Sequence, residues 1–324
     1  RTFRQANQII MVNPTFMGVP LLARCNCEAI QLPLRICQLN TIADLKVTWS
    51  RHRGILGERQ SFWSGVRCIV RTMEMLRLSP SRINDFTNCP QLYKYRAIDQ
   101  LPEPPSVDAE RGKLVHAVLE DLFELPAPER TIDSARASLP IRWQAALAEK
   151  PELSTLVLDE KEWLDRATSL LQNYFTLEQP HTFESTYREL HLERNLSDEM
   201  YLHGYVDRID VAPTGQVRIV DYKTGKSPKP GWEEKALFQL RVYALLYWQN
   251  EGVLPSLLQL IYLGDSQLVK SSPTEAQLLS TEKILKNIGA EILTAIETNH
   301  FPTKKSRLCD WCFFKSICPA HVKP

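Results

Sequence analysis

Apolar side chains recur at helical spacing through most of the chain from residue 79 onward. Ser79 followed by Pro80 is typical of a helix start, because the serine side chain can cap free backbone amides and proline suits the first helical turn. Three prolines between residues 102 and 105 separate this helix from the next one. The pattern predicts helices through residues 83–86 and at about 107–125, 133–149, 159–178, 232–250 and 274–298.

Strand-like runs interrupt the helices in the second half of the chain. They lie at about 183–194, 200–211, 217–223 and 257–263, and a turn at 213–215 joins the second run to the third in a hairpin. In the third run both alternating faces are apolar, as Val217 and Ile219 on one face and Val220 on the other illustrate. A strand of this kind is buried on both sides, so we predict an α/β fold with this strand at the centre of the sheet.

Residues 1–78 lack both the helical and the strand periodicity. They hold 11 basic and 4 acidic side chains, whereas residues 79–324 hold 28 and 34, so the two parts differ in character. We expect residues 1–78 to be a poorly ordered or non-native extension, and the working protein to start near Met73. An apolar stretch close to the N-terminus resembles an export signal, but Asn13 and Pro14 interrupt it, and we expect a cytoplasmic protein.

The composition of the 324 residues is that of an ordinary globular protein, with 44% hydrophobic and 24% charged residues. No run approaches 18 uninterrupted apolar residues, so we expect no membrane-spanning helix. The formal net charge of +1 neither indicates nor excludes a nucleic-acid partner. Function must therefore be inferred from particular side chains.

The hairpin carries the most informative charged side chains. Asp221 and Lys223 stand two residues apart in the predicted central strand, so they lie on one face. Such pairs are often exposed and of little energetic value, but charges in a strand that is apolar on both faces are costly and are usually paired or functional. Asp207 on the neighbouring strand adds a second carboxylate. Carboxylate oxygens in this number suit Mg²⁺ or Mn²⁺, which also bind phosphate.

The eight cysteines form two groups. The four in residues 1–78 have no assigned role, and they are Cys25, Cys27, Cys37 and Cys68. The other four are Cys89 and three near the C-terminus, namely Cys309, Cys312 and Cys318. Disulfide frameworks belong mainly to short secreted chains, whereas clustered thiols in a long chain more often bind metal. Four thiolates can close a zinc site or hold an iron–sulfur cluster, and their spacing alone favours zinc.

Four sequence motifs follow one another along the second part of the chain. They are Gly112-Lys113-Leu114-Val115-His116, then Gly204-Tyr205-Val206-Asp207-Arg208-Ile209-Asp210, then Asp221-Tyr222-Lys223-Thr224-Gly225, and finally Gln239 with Tyr243. With these motifs the chain resembles the PD-(D/E)XK nucleases of the RecB type, including stand-alone exonucleases and the CRISPR-adaptation exonucleases that carry an iron–sulfur cluster. The resemblance covers residues 78–321 and leaves out the first part of the chain.

The resemblance implies a restriction-endonuclease-like core, in which helices flank a central mixed sheet. The groups that would bind the divalent metal are the side chains of His116, Asp207 and Asp221 and the backbone carbonyl of Tyr222. Lys223 would position the attacking water. Gln239 and Tyr243 share one face of a helix, and by resemblance they brace the lysine or touch the DNA backbone.

The same resemblance implies that the second group of cysteines, Cys89, Cys309, Cys312 and Cys318, holds a [4Fe-4S] cluster. This C-terminal staple would tie the first helix to the last segment and close a long loop. We therefore expect a Mg²⁺- or Mn²⁺-dependent DNA exonuclease that acts in repair or recombination on single-stranded DNA or on duplex ends. Two alternatives stay open, a non-catalytic iron–sulfur module that binds DNA and a nuclease subunit that is active only with a separate helicase chain.

Overall fold

The computed structural model describes residues 75–322 together with the backbone of four strands nearer the N-terminus. These strands form two antiparallel pairs, which are Ile9–Ile10 with Ala23–Arg24 and Leu56–Trp63 with Val66–Met73. They belong to a compact unit of residues Arg1–Met75, and Leu76–Pro324 form a second unit. The predicted extension falls largely outside the described residues, as do Cys25, Cys27, Cys37 and the side chain of Cys68, and it stays a prediction.

The second unit alternates between helical and strand segments. Its helices are α1 (Pro80–Asn88), α2 (Pro90–Tyr93), α3 (Val107–Leu122), α4 (Ile132–Glu149), α5 (Leu153–Leu156), α6 (Glu160–Leu177), α7 (Glu233–Glu251) and α8 (Glu275–Thr298). Its strands are β1 (Leu76–Leu78), β2 (Tyr187–Ser197), β3 (Met200–Val211), β4 (Val217–Lys223), β5 (Leu257–Tyr262) and β6 (Gln267–Ser271). The predicted cap of α1 is confirmed, because the Ser79 side chain accepts a hydrogen bond from the Arg82 amide.

The six strands form one mixed sheet. Its order is β6, β5, β4, β3 and β1, with β2 paired along the other edge of β3. The pairs β4–β5 and β1–β3 are parallel, whereas β2–β3, β3–β4 and β5–β6 are antiparallel. The predicted α/β architecture is therefore confirmed, and so is the central position of β4.

Helices cover both faces of the sheet and bury two apolar cores. In one core, α1, α7 and α8 pack on side chains from β1 to β5, with Leu202, Ile219 and Leu240 fully buried. In the other, α3, α4 and α6 pack mainly on β4 and β5, through Val220 and Ile261. Each fully buried large apolar side chain contributes on the order of 2 kcal/mol to folding. The second layer thus leaves part of β2 and β3 uncovered on its side of the sheet.

One edge of β3 has two different strand partners. At its start, Met200–Leu202 pair with β1, and at its end, Arg208–Val211 pair with β4. Among the described residues, 203–207 of β3 have no strand partner along this edge. The sheet is therefore open between β1 and β4, and both flanking helical layers can reach the opening.

The structure contains several short elements that the sequence pattern does not predict, among them α5. β1 is only three residues long, and it pairs in parallel with residues more than 100 positions away, so Leu76–Leu78 belong to the sheet and not to the predicted extension. β6 is a short edge strand of mixed polarity, and α2 continues into a π-helical turn at Lys94–Ile98. Within the described residues, none of the helices is both long and apolar enough to cross a lipid bilayer.

Candidate active site

Asp207 lies where the ladder between β3 and β4 ends. The last pair of this ladder is Arg208 with Val220, and the backbone of Tyr222 lies beyond it. The amide of Tyr222 donates its hydrogen bond to Asp207 Oδ2 at 2.7 Å. Because an unsatisfied backbone amide in the interior is costly, the carboxylate stabilises the opening of the sheet.

Asp207 contacts α3 and Arg208 contacts Phe123, the residue directly after α3, although neighbours in a regular strand point to opposite faces. Asp207 Oδ2 lies 3.4 Å from His116 Nδ1, and the Arg208 guanidinium lies 4.7 Å from the centre of the Phe123 ring. Directly across on β2, Glu189 has a left-handed backbone with a φ of 43°. The side-chain alternation of β3 therefore slips directly after Asp207, which brings Arg208 to the side of the sheet where Asp207 already lies.

Glu189 joins the site on the α3 side. One ligand atom each from His116, Glu189 and Asp207 lie within 4.8 Å of one another, and in the described part of the chain no other three such ligands do so. The sequence analysis missed Glu189, which could have been found from the register of the hairpin, since Arg188 pairs with Arg208 and Leu190 with Val206. This trio offers an imidazole and two carboxylates to a cation.

The α7 side of the opening holds the other predicted residues. Asp221 Oδ2 lies 2.7 Å from Lys223 Nζ, in a geometry that is an ion pair but not a hydrogen bond. Gln239 Nε2 donates to Asp221 Oδ1 at 3.0 Å and to the Tyr243 hydroxyl at 2.8 Å. Gln239 Oε1 accepts a hydrogen bond from Lys223 Nζ at 3.1 Å. One amide side chain thus orients a carboxylate, an ammonium and a phenol together.

Two glycines of the motifs permit these contacts. A Cβ atom on Gly204 would lie 2.7 Å from Cε1 of Tyr243, so only glycine lets this ring pack against β3. A Cβ atom on Gly112 of α3 would lie 3.2 Å from Oγ1 of Thr224, directly after Lys223. The glycines therefore bring α7 and α3 close to the strands that carry the charged residues.

The electrostatics of the site follow from burial and crowding of charge. Burial, and then the nearby charge of Asp207, raise the pKa of Asp221 to about 6, against the lowering effect of Lys223. Burial by itself lowers the pKa of His116, but the hydrogen bond and charge of Asp207 outweigh it and leave that pKa raised. For Lys223 the charge of Asp221 likewise outweighs burial and raises the pKa. Burial and the neighbouring carboxylate therefore both disfavour the ionised form of Asp221, whereas the carboxylates favour the charged forms of His116 and Lys223.

A fully buried arginine supports the site from beneath. Arg208 donates hydrogen bonds to Glu178 at 2.8 Å and to the hydroxyl of Tyr222. Tyr222 lies between Asp221 and Lys223 in β4. Asp210 lies 3.1 Å from Arg208 and also pairs with Arg218. Asp210, the second acidic residue of its motif, is thus part of this ion-pair network and lies apart from the cation trio.

The four cysteines of the second group also lie close together. Cys89, Cys309, Cys312 and Cys318 are free thiols that line one cavity of about 50 Å³. The amides of Lys304 and Ser306 each donate to a sulfur at 3.4 Å, on Cys89 and Cys309 respectively. Burial raises the pKa of the Cys312 thiol. Backbone donors aimed at sulfur are typical of sites that hold thiolates on a metal.

The structure therefore places every predicted site residue either in the candidate active site or in the cysteine cluster. His116 and Asp207 lie with Glu189, Asp221 lies with Lys223, Gln239 and Tyr243, and the two sets meet where β3 and β4 separate. The Tyr222 amide is used by Asp207, while a ligand role for its carbonyl stays a prediction. The catalytic and cation-binding roles likewise stay predictions.

Comparison with known proteins points to one superfamily. The sequence model of the PD-(D/E)XK nuclease superfamily matches residues 77–319 of the chain. Two bacteriophage proteins, each named Gene 69 protein, are similar: that of Mycobacterium phage D29 is 29% identical over 203 residues, covering 54% of this chain and 70% of its own. That of Mycobacterium phage L5 is 24% identical over 298 residues, covering 77% of this chain and 98% of its own.

A solved structure shares the fold. A crystal structure from Eubacterium rectale, described as a candidate exonuclease, superimposes with a TM-score of 0.51 at 14% identity, covering 76% of this chain and 90% of that one. The superfamily match begins at residue 77, one residue after the second compact unit begins. The matched range includes the residues of the candidate active site and the four cysteines of the second group.

We expect Gly204→Ala to destabilise the protein by about 1–3 kcal/mol, because the added methyl group overlaps the Tyr243 ring. Gly225→Ala is the matched control, since a Cβ atom there meets nothing within 4 Å. Urea unfolding followed by circular dichroism measures both. Equal stability of the two variants would contradict the packing role of Gly204.

We expect Asp221→Asn to stabilise the metal-free protein at pH 7 by up to about 3 kcal/mol. The pKa of Asp221 is raised to about 6 from 3.8, so ionisation in the folded state is penalised and the wild type loses stability as pH rises between these values. The asparagine variant has no such loss, so its advantage should grow from pH 4 to pH 7 and be absent below pH 4.

Thermal unfolding in EDTA across this pH range measures the difference. Asp133→Asn, at a side chain that is 85% exposed, serves as the control and should leave the pH dependence unchanged. If the melting temperatures of wild type and Asp221→Asn changed equally with pH, ionisation of Asp221 would not destabilise the folded protein.

Proposed function

This chain belongs to the PD-(D/E)XK nuclease superfamily, and we propose that it is a metal-dependent DNA exonuclease of the RecB type that acts in DNA repair or recombination. One observation carries the proposal. The Gln239 side chain holds Asp221 and Lys223 together at the edge of the opening where His116 and Asp207 lie. A strand pair of this kind with buried charges on both sides is costly unless the charges act together.

The donor set fits a divalent cation. His116, Asp207 and Asp221 are the residues that would hold Mg²⁺ or Mn²⁺, and Glu189 adds a further carboxylate beside them. The chemistry that such a cation supplies when bound is neutralisation of phosphate charge and a water of lowered pKa. Burial, and then the negative charge of Asp207, raise the pKa of Asp221 and of Glu189, and a bound cation would offset the repulsion between these carboxylates.

The residues of the α7 side prepare the nucleophile. The Lys223 ammonium is about one-third exposed and is fixed by Asp221 and Gln239, so it can donate a hydrogen bond to a water and align that water with the phosphorus. Gln239 restricts the lysine to this orientation, and Tyr243 in turn restricts Gln239. Positioning of this kind lowers the barrier without any covalent bond to the protein.

We propose that the cysteine cluster binds a [4Fe-4S] cluster and not zinc. In a tetrahedral zinc site with Zn–S bonds of about 2.3 Å, the sulfurs lie about 3.8 Å apart. Among the described cysteines, no three sulfurs lie within 4.8 Å of one another, although all four line one cavity. This wider spacing suits a multi-atom cluster, which would join α1 to the C-terminal segment.

We expect Lys223→Ala to lose more than about 100-fold of its rate on DNA while keeping its affinity, because the lysine positions water and does not hold the strand. Wild type incubated with end-labelled single- or double-stranded DNA and Mg²⁺ or Mn²⁺ should release the label and shorten the DNA. EDTA should stop the reaction.

Asp221→Ala is the second variant, and Lys161→Ala, at an exposed helix position away from the site, is the control for a lysine change. Binding without cleavage by the wild type under every metal would favour the non-catalytic DNA-binding module. Cleavage that appears only when a helicase is added would favour the partner-dependent subunit. Full activity of Lys223→Ala would remove its assigned role.

We expect anaerobically purified protein to be brown and to contain about four iron atoms per chain. Cys312→Ala should lose the colour and the iron and should also lose solubility, because the C-terminal segment is no longer tied to α1. Metal analysis and the visible spectrum measure this. A colourless protein that carries one zinc per chain would contradict the cluster, and a colourless, iron-free Cys312→Ala that stays soluble and fully active would contradict its structural role.

A further inference from the structure

Aromatic side chains occupy the part of the β2–β3 pair that α3, α4 and α6 leave uncovered. We name this set the aromatic strip, and it consists of His191, Tyr201, His203 and Tyr205. Tyr205 is 56% exposed, and His191 on the neighbouring strand is exposed as well. The helices α3, α4 and α6 pack mainly on β4 and β5 and leave these two rings exposed, whereas Tyr201 and His203 are half-buried.

The rings of the strip are continuous. His191 stacks on Tyr205 with ring centres 4.6 Å apart and planes 28° apart. The centres of His191 and His203 are 5.7 Å apart, and those of His203 and Tyr201 are 5.6 Å apart. The Arg77 guanidinium lies 4.5 Å above the ring of Tyr201 and ends the series.

The strip leads directly to the candidate active site. Tyr201, His203 and Tyr205 alternate on the same face of β3 as Asp207, since the slip in alternation comes only after Asp207. The register sets His191 opposite Tyr205, one step along the hairpin from Glu189. A nucleic-acid strand whose phosphate backbone reaches Asp207 can therefore lie along these rings.

The charges beside the strip suit a phosphate backbone. Arg77 pairs with Tyr201 in the sheet, and Arg82 of α1 donates to the Arg77 carbonyl at 3.1 Å, so two guanidinium groups flank the far end. Both lie close enough to lower the pKa of His203, after the larger effect of its burial. Glu193 also borders the strip, where its carboxylate accepts a hydrogen bond from the Tyr201 hydroxyl.

We propose that the aromatic strip binds single-stranded DNA by stacking its bases and feeds that strand to the metal site. The inference rests on the proposed function and names its substrate as a single strand. Exposed rings stack on bases whose faces are free, and in a duplex those faces are covered by neighbouring bases. Arg77 and Arg82 supply the contacts to phosphate that do not depend on sequence.

The length of the strip sets a footprint. From Tyr201 to Asp207 is six residues, about 20 Å at roughly 3.4 Å per residue. A stacked strand advances about 3.4 Å per nucleotide, so this distance corresponds to about six nucleotides. Oligonucleotides shorter than about four nucleotides should therefore bind much more weakly than one of twelve.

The test measures binding of a labelled twelve-nucleotide oligothymidylate in EDTA by fluorescence anisotropy, beside a duplex of twelve base pairs. The double variant Tyr201→Ala with Tyr205→Ala should bind the single strand at least about tenfold more weakly, since each lost base stack costs about fivefold or more. Its affinity for the duplex should change less than about threefold. Arg77→Ala should lower the salt dependence of binding, which the tyrosine changes should not.

Three single variants act as controls. Tyr205→Phe keeps the ring and should bind like wild type. Tyr187→Ala removes a 41%-exposed tyrosine from the same β2 strand outside the strip, and it should also bind like wild type. Glu193→Gln removes a negative charge beside the strip and should tighten binding about twofold or more. Thermal melting of each variant checks that the fold is kept.

Single-strand binding by the double tyrosine variant within twofold of wild type would overturn the inference, as would an equal loss on the duplex. Metal-dependent hydrolysis of bis(p-nitrophenyl) phosphate, a diester too small to reach the strip, tests the proposed function separately. Wild type that cleaves neither this diester nor DNA would overturn the proposed function. A selective loss of single-strand binding in the double variant would still support the strip.

Discussion

The candidate site depends on the opening of the sheet between β3 and β4. A closed antiparallel ladder would use the Tyr222 amide in a backbone hydrogen bond and would bury the space beside it. Here the ladder stops at Arg208 and Val220, and the Asp207 carboxylate takes over the amide. This side-chain acceptor provides the Tyr222 amide with its hydrogen bond. It also leaves a charged group at the point where both helical layers can contribute side chains.

Each helical layer supplies a different part of the site. α3 brings His116 beside Asp207, and α7 brings Gln239 and Tyr243 beside Asp221. Close packing of the helices makes this possible, because Gly204 admits the Tyr243 ring and Gly112 lies against Thr224. The motif glycines are therefore part of the same arrangement as the charged residues, although they carry no chemistry themselves.

The arrangement is costly for folding, and the rest of the structure offsets the cost. Asp221 is 2% exposed and crowded by Asp207, which is the reason its pKa is raised. Beneath it, Arg208 joins Glu178 and Tyr222 in a buried network that holds β4 against α6. A buried arginine with several partners is well suited to fix one backbone position, because its planar group donates in several directions at once. The cost is thus confined to a few charged side chains, and the surrounding cores consist of buried apolar side chains.

The sequence by itself determined the local structure and the chemical types of the site residues. Helical and strand periodicity predicted most elements to within a few residues, because local packing on one face or two sets that pattern, and the alternation of β4 placed Asp221 and Lys223 together. β2 begins later than predicted, at Tyr187 and not at residue 183. Only the tertiary structure decided what depends on distant contacts. The three-residue β1 pairs far along the chain, Glu189 reaches the site through a left-handed backbone and a slip in alternation, and Cys89 meets Cys309 more than 200 residues later. Periodicity reports which face of an element is buried, but it carries no information on which remote element covers that face or where a sheet opens.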